Sequence, residues 1–162
     1  MKKTLLILFV LFVVGVGCKK MNNGGELCAC SPMRGPELYL SVKNATGTDL
    51  LNESNAGAYT KDQVQLYQKN TAGQTTALLF AVRPPFTYGD KKFESYSIYI
   101  PVSFAGQANN TVYLKLKEKE YTLKVQLTQN NAEVTALMID EKPVVKDNTD
   151  LTNYLQMFYL TE

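Results

Sequence analysis

VYLKLKEKEYTLKVQL, residues 112–127, alternates apolar and polar side chains twice around a charged centre. Val112, Leu114 and Leu116 fall on one side, with Tyr113, Lys115 and Lys117 on the other. Past Lys117-Glu118-Lys119-Glu120 the alternation resumes, with Leu123, Val125 and Leu127 set against Lys124, Gln126 and Thr128. A period of two puts each aliphatic set on one face of an extended chain. Two such runs joined by a short polar stretch predict a tight β-hairpin with one dry face and one wet face.

The same period recurs on both sides of this hairpin. Leu38, Leu40 and Val42 alternate with Tyr39, Ser41 and Lys43, and Val64 and Leu66 alternate with Gln63, Gln65 and Tyr67. Ile98, Ile100, Val102 and Phe104 alternate with Ser97, Tyr99 and Ser103. Val134 to Ile139 and Tyr154 to Leu160 complete the series, although Asp150 to Phe158 also fits a helix capped by Asn148, Thr149 or Asp150. Leu78 to Val82 is continuously apolar, which predicts a central strand. Pro101 has no amide donor and predicts an edge or a bulge in its strand. Turn-forming Asn and Gly separate the runs, at Asn44 to Gly47, Asn70 to Gly73, Gly106 to Asn110 and Gln129 to Asn131. The expected domain is all-β: an antiparallel β-sandwich of seven to eight strands over residues 37–162.

The N-terminus reads differently. Met1-Lys2-Lys3 is basic, and Leu5 to Val16 is an unbroken apolar run. The run ends in Gly15, Gly17 and Cys18, and this order is that of an export signal. Leu5 to Cys18 as helix measures about 21 Å, short of the ~30 Å hydrocarbon core of a bilayer, which favours a cleaved signal over a membrane span. Gly15-Val16-Gly17-Cys18 resembles a bacterial lipobox. That resemblance implies a signal peptide at 1–17, cleavage before Cys18, and a diacylglyceryl thioether on the Cys18 sulfur. Residues 18–36, rich in Gly, Asn and Pro, read as a lipidated cysteine followed by a flexible tether. Two or more acyl chains hold a protein stably at a bilayer.

Charge and composition exclude several classes of function. The chain has 17 basic and 15 acidic residues, and loss of Lys2 and Lys3 balances them. A neutral domain argues against a nucleic-acid partner. With no histidine in the chain, Ser-His-Asp and Cys-His catalysis and His-ligated zinc are ruled out. Cys28 and Cys30 flank one alanine. Outside the cytoplasm such a pair is more often a structural disulfide than free thiols, and the one-residue spacing departs from the Cys-x-x-Cys of redox sites. No metal and no cofactor is expected.

Candidate binding residues come from two loops. Residues 84–93, PPFTYGDKKF, put Phe86, Tyr88 and Phe93 beside polar groups. Such aromatics stack on sugar rings or anchor protein interfaces, or fold back onto the core. Asp49, Asn52 and Glu53 lie close together and read either as oxygen ligands for Ca²⁺ or, preferably, as a turn in which Asp and Asn bond nearby backbone. Tyr39, Tyr96, Tyr99 and Tyr113 lie out of phase with the aliphatic faces and read either as a shared outer patch or as ordinary scattered surface tyrosines.

Three features together, the Gly17-Cys18 exit, Gly47-Thr-Asp49-Leu-Leu-Asn52 after the first strand, and the closing Tyr159-Leu-Thr-Glu162, resemble a family of small Bacteroidota lipoproteins of unknown function. That resemblance implies a secreted β-sandwich of transthyretin or immunoglobulin type and brings no catalytic residues. The expectation is a non-enzymatic, lipid-anchored envelope protein at the outer membrane, with the periplasmic face favoured over the cell surface. It would bind through its sandwich to another envelope protein or, alternatively, capture a glycan.

Overall fold

The computed structural model describes residues 35–102, 111–130, 133–149 and 155–162, apart from the side chains of Tyr88 and Thr111. The described chain is all-β, with two main sheets packed as a sandwich and no α-helix. Its strands are β1 (Glu37–Lys43), β2 (Val64–Lys69), β3 (Thr75–Ala77), β4 (Ala81–Arg83), β5 (Phe86–Tyr88), β6 (Lys91–Phe93) and β7 (Ser97–Pro101). They continue as β8 (Thr111–Leu116), β9 (Lys119–Leu127), β10 (Val134–Ile139), β11 (Lys142–Pro143), β12 (Val145–Lys146) and β13 (Met157–Thr161). One sheet has the order β12-β13-β1-β7-β4, the other β11-β10-β9-β8-β2-β3, and β5 and β6 form a separate hairpin.

The hairpin of residues 112–127 forms as its alternation requires. β8 and β9 pair antiparallel from Thr111↔Lys124 to Leu116↔Lys119, and Lys117-Glu118 makes the connection. Val112, Leu114, Leu116, Tyr121 and Leu123 turn inward and join Leu38, Leu40 and Val42, Ile98 and Ile100, and Phe158 and Leu160 from the facing sheet in one core. Burial of each such side chain stabilises the fold by about 1.5–3 kcal/mol.

Four expectations need correction. The strand count exceeds seven to eight, because β3 to β6, β11 and β12 are pieces of two or three residues that carry no periodic signal. The pairing is not wholly antiparallel: β1 and β13, the first and last described strands, run parallel, with Tyr39↔Met157 to Lys43↔Thr161 in register. Met157–Thr161 is thus a strand, as the alternation of this segment predicts, and the helix alternative does not hold there; residues 150–154 lie outside the described residues. Leu78 to Val82 is not a central strand. It is the corner where the chain leaves edge strand β3 of one sheet to become edge strand β4 of the other, and Leu79 is 87% exposed there.

Pro101 ends a strand that lies between β1 and β4, so β7 is internal rather than an edge. Val102 N–H donates to Pro36 O (2.8 Å). Backbone alternation then turns position 101 away from β1, toward a side that β4 has already left, since its last pair with β7 is Ala81↔Tyr99. The proline sits where no donor is needed.

The β5–β6 hairpin covers the outer face of the five-stranded sheet. Tyr39, Tyr99, Met157 and Tyr159 occupy alternate positions to the core residues of β1, β7 and β13, and they meet Phe86 and Phe93 in a second, smaller cluster. Gly89, at φ +60°, takes a left-handed conformation that side chains rarely adopt and closes the two-residue loop of this hairpin.

Candidate functional site

The residues predicted as an aromatic binding loop lie in that hairpin. The Phe86 and Phe93 rings stack on each other at 4.5 Å, 11° from parallel. Phe93 is 2% exposed, packed with Tyr39 and Met157, so it has no face left for a ligand. Phe86 is half-buried, and Tyr88 is placed only by its backbone pairing with Lys91. Cys18, Cys28 and Cys30 lie outside the described residues.

The tyrosines do not share a patch. Tyr39 and Tyr99 pair at 5.4 Å beneath the hairpin, with the Arg83 guanidinium 4.4 Å from the Tyr99 ring. Tyr113 lies on the other sheet, stacked on Tyr67 at 5.7 Å with the Lys69 ammonium 4.2 Å above its ring. Tyr96 lies apart from both, packed against the main core.

Tyr96 instead lines a cleft of about 270 Å³ with Leu51, Asn52, Glu53, Ser54, Tyr59, Lys61, Val64 and Val82. The segment between β1 and β2 builds most of it. Asn44 Oδ1 accepts the N–H groups of Thr46 (3.0 Å) and Thr48 (2.8 Å), which turns the chain back along β1. Leu50 N–H then donates to Val42 O (2.9 Å) and Tyr59 N–H to Leu50 O (2.8 Å), closing residues 50–59 into a compact loop. Asp49 ties this loop to the residue that leads into β7, the strand beside β1. Its Oδ1 accepts Leu51 N–H (2.9 Å) and its Oδ2 accepts Tyr96 N–H (2.7 Å). Both oxygens of Asp49 thus serve backbone amides, as a turn-forming aspartate does. Asn52 Oδ1 accepts Ser54 N–H (3.1 Å), and Glu53 Oε1 accepts Lys61 N–H (3.2 Å).

Tyr59 is held from behind. Its hydroxyl donates to Glu162, as does that of Tyr121, and the Lys119 ammonium lies 3.5 Å from the same carboxylate. Burial, and next the Glu162 carboxylate, push the Tyr59 and Tyr121 phenols well above the usual range, so both stay neutral donors. The cleft accordingly has an apolar wall of Leu51, Val64 and Val82, two tyrosines, of which Tyr59 is held at its hydroxyl and Tyr96 at its backbone amide, and a rim of one amide, one hydroxyl and two opposite charges.

Sequence reasoning found Asp49, Asn52 and Glu53 as a turn and named Tyr96, but placed it in the wrong company. It missed Tyr59 and Lys61, which are unremarkable in composition and reach the cleft only through the folded loop. A larger hollow of about 420 Å³ opens where β3 leaves β2, lined by Val64, Leu66, Ala77, Leu78 and Phe80 with Gln65, Tyr67, Thr75 and Lys115. It is the more open of the two, and the smaller cleft, which would enclose a ligand more fully, is the better candidate. Comparison with protein-family models, curated proteins and solved structures finds no match to this chain.

Proposed function

We propose that this chain is a lipid-anchored, non-enzymatic protein of the bacterial envelope whose β-sandwich is a binding module, with the Tyr59–Tyr96 cleft as its site. The observation that carries the binding reading is the cleft: two tyrosines held by Glu162 and Asp49 beside a mixed polar rim. Fixed aromatics with a few directed polar groups are what small-ligand sites are built from. The absence of histidine from the sequence removes the commonest acid-base catalyst and supports binding over chemistry.

The anchor rests on Leu5 to Val16 and the Gly17-Cys18 exit. In this reading residues 18–36 tether the domain to the outer membrane, on its periplasmic face. The two-layer packing fits a sandwich of transthyretin or immunoglobulin type as the finer class. Metabolic labelling with an alkyne fatty acid tests the anchor. The full chain incorporates label and sediments with membranes, whereas Cys18→Ala does neither. A Cys18→Ala chain that stays membrane-bound sinks the lipid anchor.

A further inference from the structure

Resting on the reading of the cleft as a binding site, we infer that it takes a neutral sugar ring, a hexopyranose unit of an envelope or captured polysaccharide. Size is the first argument. About 270 Å³ lies below the ~300–1,000 Å³ of sites for drug-sized molecules, which leaves room for one ring and its substituents.

The second argument is the division of the lining. A pyranose has C–H faces that lie against aromatic and aliphatic groups, and a rim of hydroxyls that both donate and accept. Here Tyr59, Tyr96, Leu51 and Val82 supply apolar surface, while Asn52, Glu53, Ser54 and Lys61 supply donors and acceptors. The third is charge. Glu53 and Lys61 are the charged side chains of the lining and have opposite sign, so the cleft favours neither a phosphate nor a cation. The fourth is rigidity. The Tyr59 ring is held through its hydroxyl by Glu162, and the backbone that carries Tyr96 and Lys61 is held by Asp49 and Glu53. A backbone frame and one ring so held lose little freedom when a weakly interacting neutral ligand arrives.

The full chain in detergent, with ¹³C-labelled tyrosine rings, reports on the cleft through Tyr59 and Tyr96 and on the distant open sheet through Tyr113. The probes are a mixture of neutral gluco-, galacto- and manno-oligosaccharides, a mixture of short uncharged peptides, and inorganic phosphate. The expected result is that the sugars move the Tyr59 and Tyr96 signals and leave Tyr113 in place. Asn52→Ala and Lys61→Ala, both at the rim, then weaken sugar binding by up to about tenfold each, the scale of one charge-assisted hydrogen bond. The Tyr113 signal shows that each variant is folded. If peptides or phosphate move the cleft signals and sugars do not, the sugar assignment falls and the binding site stands. If no probe moves them, both fall.

Discussion

The two outer faces of the sandwich carry the same device in different settings. On the five-stranded sheet Tyr39 and Tyr99 face each other across strands with Arg83 over both rings. On the six-stranded sheet Tyr67 and Tyr113 do so with Lys69 over both. The first pair lies beneath the β5–β6 hairpin, and Tyr39 is 3% exposed. The second faces water, with both tyrosines only half-buried. A cross-strand aromatic pair is a modest local stabiliser of about 0.2–1 kcal/mol in the open. It becomes part of a core only when another layer is laid over it, and here residues 84–93 supply that layer.

The largest expected effect follows directly. Phe93→Ala opens a cavity under the hairpin and lowers the unfolding free energy by about 3–5 kcal/mol. Tyr113→Ala, on the uncovered face, costs about 1 kcal/mol. Urea midpoints at constant slope measure both, and equal costs would mean that the hairpin is not a packed cover.

Alkaline pH comes next. The Tyr67 phenol is pushed up to about 12, first by burial and then by its hydrogen bond to Glu120, and Tyr59, Tyr121 and Tyr159 are raised as well. Each of these phenols holds its proton more tightly folded than unfolded, where it titrates near ~10. Their contribution is therefore complete below about pH 10 and is lost as pH rises through the folded values. Melting temperature should start to fall above about pH 10. In Glu120→Gln, Tyr67 should ionise at lower pH by ring NMR, and an unmoved titration would remove Glu120 as a cause.

The smallest effect concerns Ser41 and Ser97, which face the covered side of the five-stranded sheet. Both are fully buried, and neither hydroxyl has a hydrogen-bond partner among the described residues. Ser97→Ala removes an unpaired polar atom and should change stability by less than about 0.5 kcal/mol, or raise it. A loss beyond about 1 kcal/mol would show that the hydroxyl is bonded in solution, for instance to water.

The contrast between the faces also explains what could be read in the sequence. Alternation in 112–127 reports which residues enter the main core, and it is right for Val112, Leu114 and Leu123. It is silent on whether the other face is wet, so Tyr39 and Tyr113 look alike. Leu78 to Val82 misleads because a continuous apolar run is the mark of a strand buried on both faces. Here Leu78, Phe80 and Val82 pack against the core from a corner while Leu79 faces solvent. The cleft was half legible. Asp49 and Asn52 announce a turn by their chemistry, but their meeting with Tyr96 depends on β7 lying beside β1, which no local pattern encodes.

The parallel pairing of β1 with β13 bears on the order of events in the cell. β13 sits between β12 and β1, so without Met157–Thr161 the five-stranded sheet is divided and Leu40 and Val42 lose the neighbours Phe158 and Leu160. A chain that leaves the ribosome N-terminus first holds β1 unfinished until this last segment has been synthesised. All six strands of the other sheet precede Met157–Thr161 in the chain, so the five-stranded sheet is the later of the two to be completed.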